Sequence, residues 1–211
     1  MTLPRLYPIV DTALLEQRGC EVETAARAML DGGAQILQFR HKGHYTRRVF
    51  AESERAAELS RQAGAIFVVD DRADIAVLLD AGLHVGQDDL PSQDARRLIG
   101  PSRPLGFSTH NETQLLAALG EPVDYVALGP VFGTTSKEKP DPVVGIAGLQ
   151  RLRPLAGRPL VAIGGITREN ARAVMDAGAD SLAVIGDLLP QECTYGSVRA
   201  RMEEWQRLVR K

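Results

Sequence analysis

Short apolar segments recur along the whole chain, each bounded by glycine, aspartate or proline. We recognise eight of them, at residues 6–10, 36–39, 65–69, 83–85, 105–107, 125–128, 160–163 and 182–185. Most are rich in valine, isoleucine and leucine and do not alternate with polar residues, which is typical of strands buried on both faces of a parallel sheet. The pattern therefore predicts eight parallel strands.

The segments between these strands have helical character. Ala171, Val174, Met175 and Gly178 have the spacing of one helix face. Asn111, followed by a glutamine three positions later, predicts a helix N-cap. Strands are therefore expected to alternate with helices.

A turn containing aspartate and glycine is repeated where a helix leads into the next strand. Its aspartates are Asp31, Asp80 and Asp176, which are 49 and then 96 residues apart, close to two and four units of about 24 to 25 residues. The glycine of each turn is expected to adopt the left-handed conformation that ends a helix. Eight such units in 211 residues favour a compact (β/α)8 TIM barrel over an open doubly wound sheet, and one domain over residues 1–211 is predicted.

Composition restricts the class of protein further. Apolar residues make up 44% of the chain, charged residues 25%, and the formal net charge is −2. These values argue against extensive disorder and against a broad surface for nucleic acid or anionic membranes. We see no signal peptide or membrane span, and Cys20 and Cys193 form no metal-ligand motif. A reduced cytoplasmic protein is expected, and the sequence leaves homo-oligomer formation open.

Barrel enzymes carry their functional groups at the carboxyl ends of the strands, so the residues after each apolar segment are the candidates. Gln38, Arg40 and Lys42 alternate and would point to the same side of an extended chain. An amide and two cations at a barrel mouth need an anionic partner. One interpretation is that they bind a phosphate or diphosphate, and the other is that they are solvated in a loop.

Acidic pairs follow the third and fourth segments. They are Asp70 with Asp71, and Asp88 with Asp89. Because consecutive strands are neighbours in a barrel, carboxylates from both pairs could share one Mg²⁺, which also binds substrate phosphates. The alternative is that an acid of the second pair caps the next helix and that Asp71 pairs with Arg72.

Later strands are followed by small and hydroxyl-bearing residues. The loop at 129–140 is rich in glycine, threonine and serine and contains lysine, so it offers the donors that suit a phosphate, and it is long enough to act as a closing lid. Gly164, Gly165 and Gly186 match the backbone phosphate site of many barrels. A surface loop and tight turns are the alternatives.

Taken together, these strand-end motifs resemble thiamine phosphate synthase, from about residue 6 to residue 188. In order they are QFRHK at 38–42, DR at 71–72, HVGQDD at 84–89, GFSTH at 106–110, GPVF at 129–132 with TTSK at 134–137, AIGGI at 162–166 and AVI at 183–185. Any one of these motifs is weak, but seven in order at strand ends are specific.

The resemblance implies a compact (β/α)8 barrel and a transferase of thiamine biosynthesis that acts on small molecules. Members join 4-amino-5-hydroxymethyl-2-methylpyrimidine diphosphate to 4-methyl-5-(2-hydroxyethyl)thiazole phosphate, and the products are thiamine phosphate and diphosphate. The family reaction is understood as dissociative, with the thiazole nitrogen trapping a cation at the pyrimidine methylene carbon. Mg²⁺ is the implied cofactor.

The resemblance also implies roles for individual residues. The pyrimidine diphosphate would be bound by Gln38, Phe39, Arg40, His41, Lys42, Asp70, Ser108 and Lys137. The thiazole phosphate would be bound by Thr134, Thr135, Ser136, Gly164, Val184 and Ile185. Asp71 and Asp89 would hold Mg²⁺, and Arg40, Ser108 and Lys137 are the predicted catalytic residues.

One residue departs from the family pattern. Related synthases usually carry asparagine where this chain has Asp70, and an ionised carboxylate only accepts hydrogen bonds. The carboxylate could bind the pyrimidine amino group, join the metal shell or repel the diphosphate.

Two other functions are considered. The related thiazole tautomerase has a catalytic histidine after the sixth strand, where this chain has Pro130. A non-catalytic barrel that binds thiamine precursors would not need both metal carboxylates and Lys137. Both observations favour the synthase.

Overall fold

The strands close into a barrel. The computed structural model describes residues 2–133 and 141–210. Within these ranges eight parallel strands each pair with the next along the chain, and the last pairs with the first. They are β1 (Leu6–Asp11), β2 (Ile36–Arg40), β3 (Ile66–Asp70), β4 (Gly82–Val85), β5 (Leu105–Thr109), β6 (Tyr125–Leu128), β7 (Leu160–Ile163) and β8 (Ser181–Val184). The predicted (β/α)8 barrel is confirmed.

Helices form the outer layer. The α-helices of the described ranges are α1 (Thr12–Gln17), α2 (Val22–Asp31), α3 (Arg47–Gln62), α4 (Ala73–Leu78), α5 (Ser92–Ile99), α6 (Glu112–Ala117), α7 (Gly145–Leu152), α8 (Ala171–Asp176) and α9 (Tyr195–Val209). Short 3-10 helices lie at Ala118–Gly120, Arg153–Leu155 and Gly186–Leu188. In the part of the chain described, no helix is long and apolar enough to cross a membrane.

Several strands extend past the apolar segments that predicted them. Asp11, Arg40 and Asp70 are the last residues of β1, β2 and β3, and Ser108 lies inside β5. An apolar segment ends at its first polar residue, but the hydrogen-bonded strand continues beyond that residue. Asp11 is in register with Arg40 on the neighbouring strand, and Ser108 is in register with Ala127. The candidate polar groups therefore belong to the rigid sheet.

The core has two compartments because alternate strand residues face the barrel interior and the helices. The interior cluster consists of Leu3, Tyr7, Ile9, Ile36, Val68, Tyr125, Ala127, Val161 and Ala183. The larger outer cluster lies between strands and helices and includes Phe39, Val184 and Trp205. Trp205 is fully buried and donates its Nε1–H to Asp187 Oδ2 at 2.8 Å, which fixes α9 against the barrel.

The repeated turn follows the prediction at two of its three occurrences. Gly33 and Gly178 have φ of 98° and 100°, as a left-handed turn residue requires. The prediction is wrong for Gly82, which lies in β4, because Asp80 itself takes the left-handed conformation with φ of 55°. Glycine at position 82 has a steric reason instead, since a Cβ there would lie 2.9 Å from the Pro104 carbonyl oxygen.

Two local predictions can be compared with the structure. Asn111 caps α6 and accepts from the Gln114 backbone N–H at 3.0 Å, which confirms the N-cap. Cys20 and Cys193 are free thiols. Burial and the neighbouring Cys193 thiol raise the pKa of Cys20 to about 12, so the Cys20 thiol is protonated and unreactive at neutral pH.

Candidate active site

Arg40 lies between two carboxylates at the carboxyl ends of β1, β2 and β3. Its Nη1 donates to Asp11 Oδ2, and its Nε lies 3.6 Å from Asp70 Oδ2. The side chain of Arg40 is only 15% exposed. A guanidinium of this kind, mostly buried and held on two sides, is a fixed positive charge rather than a solvated loop cation.

Lys42 reaches the same cluster from the loop after β2. Its Nζ lies 2.9 Å from Asp70 Oδ2 and also pairs with Asp71 Oδ2. Partial burial lowers the pKa of Lys42, but the charge of Asp70 and the hydrogen bond to Asp71 outweigh burial, so its pKa lies above the usual value. Lys42 is therefore a cation held by two carboxylates, but it lies in the loop after β2 and its side chain is 46% exposed. The solvated-loop interpretation is wrong for Arg40 and holds in part for Lys42.

Asp70 is the buried anion of the cluster, 5% exposed, and it faces both Arg40 and Lys42. Burial raises the pKa of Asp70 even though Lys42 and then Arg40 oppose the rise. The Asp70 carboxylate, which stands where the family pattern has asparagine, therefore forms ion pairs with both Arg40 and Lys42.

Asp71 and Asp89 bring a second pair of carboxylates together. Asp71 has a left-handed backbone with φ of 61°, and its N–H donates to the His84 carbonyl at 2.8 Å. Asp89 Oδ2 accepts from the Gly86 N–H at 2.7 Å. Burial raises the pKa of Asp89 against the Gly86 hydrogen bond, and the Asp71 carboxylate raises it further. Neighbouring like charges repel each other, and a cation between the two carboxylates would relieve that repulsion.

The structural alternatives for these acids are not observed. Helix α5 begins at Ser92 with Pro91 at its N-cap and no side-chain cap, so Asp89 does not cap it. Arg72 pairs with Asp74. Among the described residues, no group of three or more His, Cys, Asp or Glu could hold a metal ion, so a metal at Asp71 and Asp89 would need further ligands of another kind.

Asp11 is a site residue that sequence reasoning missed. Its Oδ1 accepts from the Leu14 backbone N–H at 2.9 Å and caps α1, while its Oδ2 accepts from Arg40. An aspartate directly before a threonine that opens a helix is an N-cap signal. That signal was available in the sequence, but the contact with Arg40 depends on the register between β1 and β2.

Removing the Asp11 carboxylate tests this double role. Asp11→Ala should lower the free energy of unfolding by about 2 to 4 kcal/mol, because it removes a helix cap and the hydrogen-bonded one of the two carboxylates that face Arg40. Asp11→Asn keeps a capping oxygen and should lose roughly half as much. Urea unfolding measures both variants. Asp74→Ala, which removes an exposed carboxylate from the first turn of α4 together with its pair with Arg72, is the matched control; equal losses in all three variants would contradict the role.

The remaining predicted residues on and after β2 and β5 differ in where their side chains point. Gln38 and Ser108 face the interior, where Gln38 Nε2 donates to the Tyr7 hydroxyl at 3.2 Å. Phe39 points to the helices and is completely buried, so it does not join the cluster. His41 Nδ1 hydrogen-bonds Thr12 Oγ1 at 2.7 Å and orders the loop.

The exits of β6 and β7 run side by side. The Phe132 N–H donates to the Gly164 carbonyl at 3.0 Å. Gly164 has φ of 99°, and a Cβ there would lie 2.5 Å from Pro130 Cβ, so only glycine permits this approach. Val184 faces the outer cluster and offers only backbone to the mouth, whereas Ile185 packs on the interior cluster.

The predicted residues Thr134, Thr135, Ser136 and Lys137 lie outside the described residues.

These elements define a class of protein. Two fixed cations and a close carboxylate pair share the mouth of a parallel barrel with a glycine-lined strand exit. Such an arrangement is typical of a barrel enzyme that handles phosphate esters or diphosphates.

Comparison with known proteins identifies the family. The family model "Thiamine monophosphate synthase" matches residues 6–188, and the chain belongs to this family, whose named members are transferases of thiamine biosynthesis. The chain is 47% identical over 194 residues to the thiamine-phosphate synthase of Koribacter versatilis, covering 90% of each chain. It is 40% identical to that of Chloroflexus aurantiacus, covering 92% of this chain and 89% of the relative.

A solved structure agrees with these sequence relatives. Thiamine phosphate pyrophosphorylase from Pyrococcus furiosus superimposes with a TM-score of 0.83 at 33% identity, covering 98% of this chain and 96% of that one. Tryptophan synthase from Mycobacterium tuberculosis, at 15% identity and a TM-score of 0.69, shares the fold alone.

Proposed function

We propose that this protein couples the pyrimidine diphosphate to the thiazole phosphate and releases thiamine phosphate and diphosphate. The observation that carries the proposal is the convergence of Arg40 and Lys42 with Asp71 and Asp89 at one mouth. A leaving diphosphate gains negative charge as its bond to the methylene carbon breaks. Fixed cations in a partly dry site stabilise that charge most effectively, because they need no reorganisation.

The chain's own groups account for the rest of the substitution. Lys137 and Ser108 would add a cation and a hydroxyl to the leaving group. The backbone at Gly164 and Ile185, with Thr134, Thr135 and Ser136, would hold the thiazole phosphate so that its ring nitrogen faces the methylene carbon. Holding two reactants in line supplies a large part of the rate. Little proton transfer is needed, since the pyrimidine amino group can donate electrons to the developing cation.

The residues fit Mg²⁺. Two carboxylates provide the hard oxygen ligands that Mg²⁺ prefers, and this ion usually takes one or two carboxylates together with substrate phosphates and water. A divalent cation would relieve the repulsion that raises the pKa of Asp89. Asp71 and Asp89 would hold it, and when bound it supplies further positive charge next to the diphosphate.

Asp70 gives a specific prediction for substrate affinity. Its carboxylate occupies both Arg40 and Lys42, so the diphosphate must compete with it. Asp70→Asn should lower the KM for the pyrimidine diphosphate by up to about fivefold, the value of an ion pair with the half-exposed Lys42. Steady-state kinetics measure this, with Asp88→Asn as the control on an exposed neighbour. A raised KM would mean that the Asp70 carboxylate itself binds substrate or metal.

The same proposal includes the setting of the reaction. We infer that residues 1–211 act as one domain, in the cytoplasm, on small molecules, with homo-oligomer formation left open.

Substrate omission distinguishes the synthase from the alternatives. The purified protein is incubated with Mg²⁺ and the pyrimidine compound alone, the thiazole compound alone, and both. Thiamine phosphate should form only with both. Isomerisation of the thiazole compound alone would indicate a tautomerase, and binding of both without product would indicate a non-catalytic barrel.

A further inference from the structure

A continuous set of polar side chains crosses the barrel interior from β2 to β5. We call Gln38, Tyr7, Tyr125 and His84 the interior relay. Its contacts run from Gln38 Nε2 to the Tyr7 hydroxyl at 3.2 Å, on to the Tyr125 hydroxyl at 2.7 Å, to His84 Nδ1 at 3.3 Å, and from His84 Nε2 to Ser108 Oγ at 2.9 Å. The four relay residues are each less than 8% exposed and lie in a compartment lined mainly by apolar side chains.

The direction of each hydrogen bond follows from the amide at one end. Gln38 Nε2 can only donate, so the Tyr7 oxygen accepts from it, and Tyr125 is the acceptor that the described contacts offer to the single Tyr7 proton. Tyr125 then accepts from Tyr7 and directs its own proton to His84 Nδ1. Burial keeps the pKa of Tyr7 and of Tyr125 well above the usual range, so both phenols retain these protons.

The same reasoning gives the direction of the hydrogen bond between His84 and Ser108. With Nδ1 accepting, the neutral His84 ring carries its proton on Nε2 and donates it to Ser108 Oγ. Because Ser108 Oγ accepts this hydrogen bond, the Ser108 hydroxyl does not donate its own proton to His84. That proton is available for a different acceptor. Ser108 is half-buried at the mouth, so its hydroxyl is presented to a ligand as a donor.

Gly106 indicates that the barrel is shaped for this contact. It lies on β5, two residues before Ser108, and a Cβ there would overlap Tyr125 Cζ and His84 Nδ1. Glycine inside a strand weakens it unless close approach requires it. Here it leaves the space in which the phenol and the imidazole meet.

We propose that the interior relay is a positioning device that fixes His84 as its Nε2–H tautomer and thereby makes Ser108 a hydrogen-bond donor to an oxygen of the diphosphate group. The direction matters because an ionised diphosphate only accepts hydrogen bonds. If the relay ran the other way, Ser108 would give its proton to His84 and turn lone pairs toward an anion. The identity of the ligand as a diphosphate rests on the proposed function. The tautomer of His84 does not, because it follows from the hydrogen bonds alone.

Nitrogen NMR of the ligand-free protein with labelled histidine reads the tautomer without turnover. The wild type should show a protonated Nε2 and an unprotonated Nδ1 at His84. Gln38→Glu, at a pH where the glutamate is ionised, replaces the donor by an acceptor and should reverse the relay, moving the proton to Nδ1. Gln87→Glu is the matched control, because Gln87 is exposed and contacts the Ser108 carbonyl rather than the relay.

Binding of inorganic diphosphate with Mg²⁺ tests the link to Ser108. Ser108→Ala should weaken binding about tenfold, the value of one hydrogen bond to a charged group. Tyr7→Phe, which removes one hydroxyl from the relay, should weaken binding severalfold in the wild type but not in the Ser108→Ala background. A merely structural role for Tyr7 would give equal losses in both backgrounds.

Three results would overturn the proposal. They are an Nδ1–H tautomer in the wild type, an unchanged tautomer in folded Gln38→Glu, and an equal effect of Tyr7→Phe with and without the Ser108 hydroxyl. If the protein formed no thiamine phosphate but His84 showed the predicted tautomer, the proposed function would be wrong and the interior relay would still be supported. The two failures can therefore be distinguished.

Discussion

Replacing Asp71 by alanine is expected to reduce kcat/KM by at least about tenfold to a hundredfold and to raise the Mg²⁺ concentration needed for half-maximal activity. The substitution removes one of the two carboxylates that face each other at the mouth, so Mg²⁺ would be held by one protein carboxylate instead of two. Lys42 keeps Asp70 as a partner at 2.9 Å, so the cation cluster itself survives.

The measurement is the initial rate against Mg²⁺ concentration, at low pyrimidine diphosphate for kcat/KM and at saturating substrates for the Mg²⁺ requirement. Asp74→Ala is the control, because Asp74 is three residues away, is exposed and forms its ion pair with Arg72 at the start of α4. If the Mg²⁺ titration of Asp71→Ala coincides with that of the wild type, the metal lies elsewhere.

Replacing Lys137 by alanine should lower kcat by about a hundredfold to a thousandfold while the KM for the thiazole phosphate changes little. The reason is that a cation next to the leaving diphosphate matters most when the bond breaks, so its loss affects the transition state more than binding of the acceptor. The prediction comes from the TTSK motif at 134–137, which the structure does not describe.

Steady-state kinetics with both substrates varied separate the two effects. Lys139→Ala removes the same charge two residues further along, outside the TTSK motif, and should change kcat by less than about threefold. A Lys137→Ala variant in which only the KM for the thiazole phosphate rises would assign the lysine to the acceptor phosphate instead.

The sequence predicted the barrel because its strands are buried on both faces and its turns recur at a fixed interval. The rule that barrel sites lie at the carboxyl ends of strands brought Arg40, Lys42, Asp71 and Asp89 into one prediction. The structure places these four side chains in one cluster of ion pairs and facing carboxylates.

What the sequence missed depends on which residues face each other across strands. Asp11 meets Arg40 through the register of β1 and β2, and a period-two pattern cannot show register between strands. Phe39 was grouped with its neighbours in the QFRHK motif, although strand alternation turns it to the helices. Tyr7 and Tyr125 belong to apolar segments and look like core residues until their hydroxyls are seen to meet.

The most direct test of the central claim is the stoichiometry of products from the purified protein. Phosphorus NMR follows a mixture of pyrimidine diphosphate, thiazole phosphate and Mg²⁺ through complete conversion. We predict one diphosphate and one thiamine phosphate for each pyrimidine diphosphate consumed, with both products abolished when Mg²⁺ is chelated. Diphosphate release without thiamine phosphate, or no conversion of either substrate, would contradict the account.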